Sequence, residues 1–202
     1  MTAVEPDQGL RYELAGILGD RDALTMMARA HPAARVVMLE VAGLTLLPIT
    51  AELAAAVTPA TLCALGMDTL PGGTPAAARV RAELLTGPES GFDVLTPGVV
   101  ALIEAGSTVG TVAYVEAEYL GREGRQAAAV WRAGQLVTGP QLLGRQETFA
   151  TASAPISVAL RALGVAAQGR RDEFLVAGLG RYRRTTDWTD AVDRAAHGKE
   201  EL

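Results

Sequence analysis

The chain is poor in the residues that most catalytic sites are built from. In 202 residues there is one cysteine, Cys63, and there are two histidines, His31 and His197. An internal disulfide is therefore excluded, and no Cys/His cluster of zinc-ligand spacing exists. Aromatic residues make up only 4%, so a core has to be assembled from Ala, Val and Leu, and small side chains demand close packing between elements. Apolar runs such as "ARVVML" and "LTLLPIT" are interrupted well short of the ~18 residues that a bilayer-crossing helix needs. No membrane span is expected. The opening "MTAVEPDQGLRYE" carries acids and no basic region ahead of an apolar run, which predicts no targeting leader and a cytoplasmic location. "GLGRYRRTTDW" lacks the lysine and Ser/Thr of a phosphate-binding loop and the full G-x-G-x-x-G spacing. No nucleotide site, metal or other cofactor is expected.

The hydrophobic content of 49% and mean hydropathy of +0.20 indicate a folded domain. The net charge of −5 disfavours a nucleic-acid partner, because backbone binding rests on phosphate neutralisation. Charge is unevenly spread. Between Arg161 and Arg184 six arginines stand against Asp172 and Glu173, a local excess of four positive charges that leaves −9 for the remainder.

Patterning predicts an α+β fold, mainly antiparallel, with two hairpin-containing β-rich halves, a helical middle and a helical C-terminus. Leu10–Leu18 alternates like a strand, Asp20 is placed to cap a helix that ends by Pro32, and two apolar runs flank Ala42-Gly43 as in a hairpin. Thr58-Pro59, Thr74-Pro75 and Thr96-Pro97 each suit a helix start, Thr accepting from an early amide while Pro sits at N1. The helices implied are 51–57, 59–66, 75–86 and 97–106. Strands are expected at 110–119, 126–132 and 135–139, the last two joined by Ala133-Gly134, followed by a linker over 139–153. A helix then runs from Pro155 to a stop at Gly164, a short one breaks at Gly178 and Gly180, and a last one begins at Thr186 or Asp187. The chain is read as one domain over 1–202, with a subdivision near residue 95 as the alternative. One sheet and two sheets both fit this pattern.

The segment "AYVEAEYLGREGRQ" carries the chemistry that is present. Alternation puts Val112, Tyr114, Glu116 and Glu118 on one strand face and Ala113, Val115, Ala117 and Tyr119 on the other, which is the expected core side. Glu116 and Glu118 would then stand ~6–7 Å apart on a wet face. Such a pair can clamp an arginine, hold a cation or shift a pKa. The plainer reading is cross-strand pairing with Arg125 or Arg132. Arg122 and Arg125 sit between glycines at the end of this strand, and Arg181, Arg183 and Arg184 follow a helix stop, from which they could fold over the acidic strand. Trp131 is expected in the core, Cys63 in an apolar helix as a packed thiol, and both histidines at helix ends.

Two functional classes fit these residues. The first is a protein-binding module, of inhibitor, immunity or accessory-subunit type, that recognises a protein partner through charged surfaces. The second is a small-ligand binder or hydrolase-like enzyme with Glu116, Glu118 and loop arginines as its site, for which a small anionic ligand is a fitting occupant. A homo-oligomeric structural protein is the third possibility, and would show a large exposed apolar patch.

Overall fold

The computed structural model describes residues 11–41, 43–64, 75–87, 89–120, 123–144, 153–169 and 171–197. Six strands form one antiparallel sheet: β1 (Arg11–Asp20), β2 (Val37–Met38), β3 (Leu44–Pro48), β4 (Val112–Leu120), β5 (Glu123–Arg132) and β6 (Gln135–Leu143). Their order is β2-β3-β1-β4-β5-β6. The two β-rich stretches of the sequence share this sheet, because β1 and β4 pair from Arg11↔Leu120 to Gly19↔Val112. Residues 139–143, expected in a linker, complete β6 instead.

Helices cover both faces. On the first lie α1 (Arg21–Ala28), α2 (Ala51–Ala56), α3 (Pro59–Ala64), α4 (Pro75–Thr86) and α5 (Pro97–Gly106). They pack with Ile17, Leu47, Val112, Tyr114, Ala129 and Trp131 into one core. On the second face α6 (Pro155–Ala162), α7 (Glu173–Ala177) and α8 (Thr185–His197) enclose Leu14, Leu18, Leu46, Ala113, Val115 and Val130. The expectation of a wet face on β4 therefore fails. Alternate residues of that strand enter two different cores, an arrangement more usual for parallel sheets than for antiparallel ones.

Local chemistry sets the helix ends as the residue types require. The side chains of Asp20, Thr58 and Thr96 accept from Ala23, Thr61 and Val99 backbone N–H at 2.9, 3.1 and 3.3 Å. Thr74 lies outside the described residues. α1 closes at Ala28, four residues before Pro32. Gly178 ends α7 in the left-handed region at φ 77°, while Gly180 falls inside the following 3-10 turn, Leu179–Arg181. α8 begins one residue earlier than expected, and Asp187 reaches back to accept from Arg184 N–H at 3.0 Å, half of a capping box. Cys63 corrects its expectation too. It is exposed on α3, while Leu62 beside it is the buried residue.

The β5–β6 turn combines a strained residue with a tight support. Ala133 and Gly134 have φ of 51° and 77°, the pattern of a two-residue turn with both central residues left-handed, for which Asn-Gly is preferred. Ser107, at the end of α5, accepts from both turn amides: its carbonyl from Ala133 at 2.8 Å and its Oγ from Gly134 at 2.9 Å. Because alanine is held in a region disfavoured for its Cβ, Ala133→Asn should raise stability by about 0.5–1 kcal/mol. Urea unfolding measures this, and a loss of stability would show that the support from Ser107, not turn propensity, governs the hairpin.

On the second face Arg161 of α6 donates to the buried Glu173 of α7 at 2.8 Å. Burial alone would raise the Glu173 pKa. Hydrogen bonds from Arg161 and from the helix backbone, together with the arginine's charge, outweigh it and hold the carboxyl below its ordinary value of 4.5. A folded-state pKa lower than the unfolded one contributes stability that is complete above the unfolded value and disappears as pH falls through the folded one. Arg161→Met should therefore lower stability at neutral pH and flatten its decline below about pH 4.5, measured as denaturation midpoints across an acid series. A decline as steep as that of the wild type would show that other carboxylates dominate.

Candidate functional site

The site is built on three cross-strand rows of the first face. Pairing places Ile17, Tyr114 and Ala129 in one row, Ala15, Glu116 and Ala127 in the next, and Glu13, Glu118 and Arg125 in the third. Glu116 thus stands between two alanines whose short side chains leave space above the sheet. The segment before α5 fills that space. Glu116 Oε2 accepts from Asp93 N–H at 2.7 Å, and Oε1 accepts from Val94 N–H at 2.9 Å, Leu95 N–H at 3.1 Å and the Tyr114 hydroxyl at 2.7 Å. The residue is 5% exposed.

This corrects the view of Glu116 as a solvent-facing member of a pair. Four donors occupy its two oxygens, leaving little capacity for a substrate proton or a cation. The Tyr114 hydroxyl is held as a donor: its burial raises its pKa well above the ordinary value, and the neighbouring Glu116 carboxylate raises it further. Phe92 meets the Tyr114 ring edge-on, with centroids 5.3 Å apart. Loop and sheet are therefore joined by both apolar and polar contacts.

Glu118 is different. It is 27% exposed and faces two guanidinium groups, Arg125 Nε at 3.4 Å from Oε2 and Arg11 Nη2 at 3.4 Å from Oε1. The cross-strand pairing with Arg125 is as expected, whereas Arg132 instead donates to Thr111 Oγ1 at 3.0 Å. Arg125 also binds the Asp93 carboxylate. Partial burial works against the Arg125 charge, but Asp93 and Glu118 outweigh it and raise its pKa above the ordinary value. Arg11 reaches Glu13 Oε2 at 3.5 Å. Together Arg11, Glu13, Asp93, Glu116, Glu118 and Arg125 line a cleft of about 130 Å³.

The remaining arginines lie elsewhere. Arg122 is outside the described residues. Arg181, Arg183 and Arg184 are exposed, and among the described residues none of them pairs with Glu116 or Glu118. Arg181 stacks on Tyr182 at 5.3 Å, and the Arg183 carbonyl accepts from Glu13 N–H at 2.7 Å. The reason is the sheet itself. Leu179 and Trp188, on either side of these arginines, belong to the second core, whereas Glu116 points into the first.

Asp93, Arg11 and Glu13 escaped the sequence reading. Glu13 and Arg11 alternate on β1 as Glu118 does on β4, so a correct β1–β4 pairing would have found them. Nothing local marks the three amides of the 93–95 segment. His31 Nδ1 accepts from Ala33 N–H at 3.1 Å, and the His197 ring lies 2.7 Å from the Asp193 carbonyl, so both are engaged near their own helix ends. Among the described residues no group of three His, Cys, Asp or Glu side chains could hold a metal ion, and no helix is long and apolar enough to cross a membrane. Comparisons with protein-family models, with curated proteins and with solved structures return no match to the chain.

If Glu116 is the pin between loop and sheet, removing its acceptors leaves buried amides without partners. Glu116→Ala should cost about 3–5 kcal/mol. Glu116→Gln keeps one oxygen but turns an NH2 toward a donor, and should cost about 1–3 kcal/mol. Urea unfolding, with hydrogen exchange at residues 93–95, tests the ranking. A Gln variant as stable as the wild type, with unchanged exchange there, would remove the pin.

Proposed function

We propose that this protein is a binding module that docks a protein partner through the charged cleft at the Arg11/Leu120 end of the sheet, receiving a basic side chain of that partner. The observation that carries the reading is the pairing of a small cleft with an unbalanced set of charges. Four carboxylates (Glu13, Asp93, Glu116, Glu118) face two guanidinium groups (Arg11, Arg125) around about 130 Å³. Small-molecule sites are usually some 300–1,000 Å³. A space of this size suits one side chain presented on a larger surface.

The exposure of the charges supports the same reading. Asp93, Arg11 and Glu13 are 64%, 56% and 49% exposed, as expected of rim groups that steer encounter and select a partner more than they add affinity. Less supports a catalytic reading, because the one deeply buried carboxylate of this cleft, Glu116, has its oxygens occupied by backbone amides and Tyr114. An acidic surplus favours a basic partner over the small anionic ligand that the arginines alone suggest.

The test is affinity capture from the native lysate with wild-type and Glu13→Lys baits, followed by titration of the purified partner at low and high salt. Glu13 is a rim residue, so its reversal should leave the melting temperature unchanged while weakening binding about tenfold or more at low salt. A partner bound equally by both baits at every salt concentration would place recognition on another surface. Failure of both baits, the wild type included, to retain a partner would return the cleft to the ligand or enzyme reading.

A further inference from the structure

The second face of the sheet carries a cleft of different chemistry. Tyr12 and Tyr119 are cross-strand neighbours on β1 and β4, their rings 6.2 Å apart and inclined at 50°. Phe174 of α7 meets Tyr12 edge-on at 5.7 Å. The next residue in the tyrosine row is Gly124, where a Cβ would come within 2.0 Å of the Tyr119 ring, so the missing side chain lets that ring lie over β5. These three rings, with Gln126, Ser157, Asp172 and Leu175, line about 280 Å³. Of the nine aromatic residues in the chain, Phe92, Tyr114, Trp131 and Trp188 are spent in the cores. Three of the remaining five, Tyr12, Tyr119 and Phe174, are only partly buried: they pack against the margin of the second core and also line this one opening.

The polar groups of the lining are directed inward. The Tyr12 hydroxyl donates to the Leu179 carbonyl at 3.0 Å, Gln126 Oε1 accepts from Ile156 N–H at 3.1 Å, and Ser157 hydrogen-bonds Glu173. Asp172 is the one formally charged residue of the lining. Its Oδ1 caps α7 by accepting from Leu175 N–H at 2.9 Å, and its Oδ2 takes no hydrogen bond from the described residues. The cleft thus offers ring surfaces, one carboxylate and few free acceptors. An ordinary ammonium would lose its water here without replacing those hydrogen bonds. A quaternary ammonium has no N–H to satisfy, is weakly hydrated, and is attracted both by ring faces and by a nearby negative charge.

We infer that the cleft between Tyr12, Tyr119, Phe174 and Asp172 binds a methylated quaternary ammonium group. The site is independent of the charged cleft on the other face. The group could belong to a free small molecule or to a trimethylated lysine of a protein, and the measurement separates the two sources. Tyr12, Tyr119 and Phe174 ring resonances are followed by NMR during titration with choline, with its neutral carbon isostere, and with a short peptide carrying trimethyl-lysine. Saturable shifts of these rings are expected with at least one quaternary probe, about fivefold to tenfold tighter than with the isostere. Tighter choline binding identifies a small-molecule site, and tighter peptide binding a modified-protein site.

Asp172→Asn keeps a residue able to cap α7 while removing the charge. It should weaken the quaternary probe severalfold and leave the isostere unchanged. Phe174→Leu should weaken quaternary binding with the charge intact. Equal binding of choline, peptide and isostere, shifts confined to other residues, or no saturable shift would each overturn the inference.

Discussion

A carboxylate buried in the middle of a sheet that is covered on both faces is the constraint on which the rest of this structure depends. Removing such a charge from water costs several kcal/mol unless donors replace the solvent. Here the donors are three consecutive backbone amides and one phenol. Their geometry fixes the segment 93–95 over the sheet, and that segment carries Asp93. Asp93 in turn meets Arg125, which meets Glu118, which meets Arg11. The exposed charges of the cleft are therefore ordered from the buried one outward. Glu116 positions the site without needing to touch whatever enters it.

The same constraint explains the alanines of β5. A strand reading Gln-Ala-Ala-Ala-Val at 126–130 buries little apolar area for itself, yet it lies in the interior of the sheet. Its small residues stand beside large ones on β4: Ala127 beside Glu116 and Ala129 beside Tyr114. On the same face Gly19 of β1 completes the row of Val112 and Trp131. A core with few aromatics reaches native density by setting each large group against small neighbours. Enlarging Ala127 would close the space through which the 93–95 amides approach Glu116.

Much of the fold was legible because the signals were local. Thr58, Thr96 and Asp20 cap helices because a hydroxyl or carboxylate next to a helix start has few better options, and Ala133-Gly134 turns because a two-residue hairpin needs left-handed backbone. The antiparallel α+β class followed from such hairpins. The faces of the sheet were not legible. A glutamate alternating with apolar residues reads as solvent-facing unless its donors are known, and the three backbone donors of Glu116 lie 21 to 23 residues away in a segment without a distinguishing motif. Arg181, Arg183 and Arg184 were misplaced for a related reason, since charge complementarity in sequence carries no information about which side of a sheet a helix will cover. Cys63 illustrates the limit of apolar context, because its helix buries the neighbouring Leu62 instead.

The two clefts occur at one end of the sheet because the helical cover stops there. Along β4, burial is complete from Val112 to Ala117 and declines through Glu118 and Tyr119 to an exposed Leu120. Strand alternation then separates the chemistry. Glu13 and Glu118 turn toward the first face, while Tyr12 and Tyr119, adjacent to them in the chain, turn toward the second. Each cleft is closed by what its own face supplies, the 91–94 segment on one side and α7 on the other. A β1–β4 pairing shifted by one residue would exchange the faces, placing carboxylates among the rings and phenols against the 93–95 amides. The register of these two strands, held in the interior by Ile17 and Tyr114 on one face and by Leu18 and Ala113 on the other, is therefore what gives each surface its chemical character.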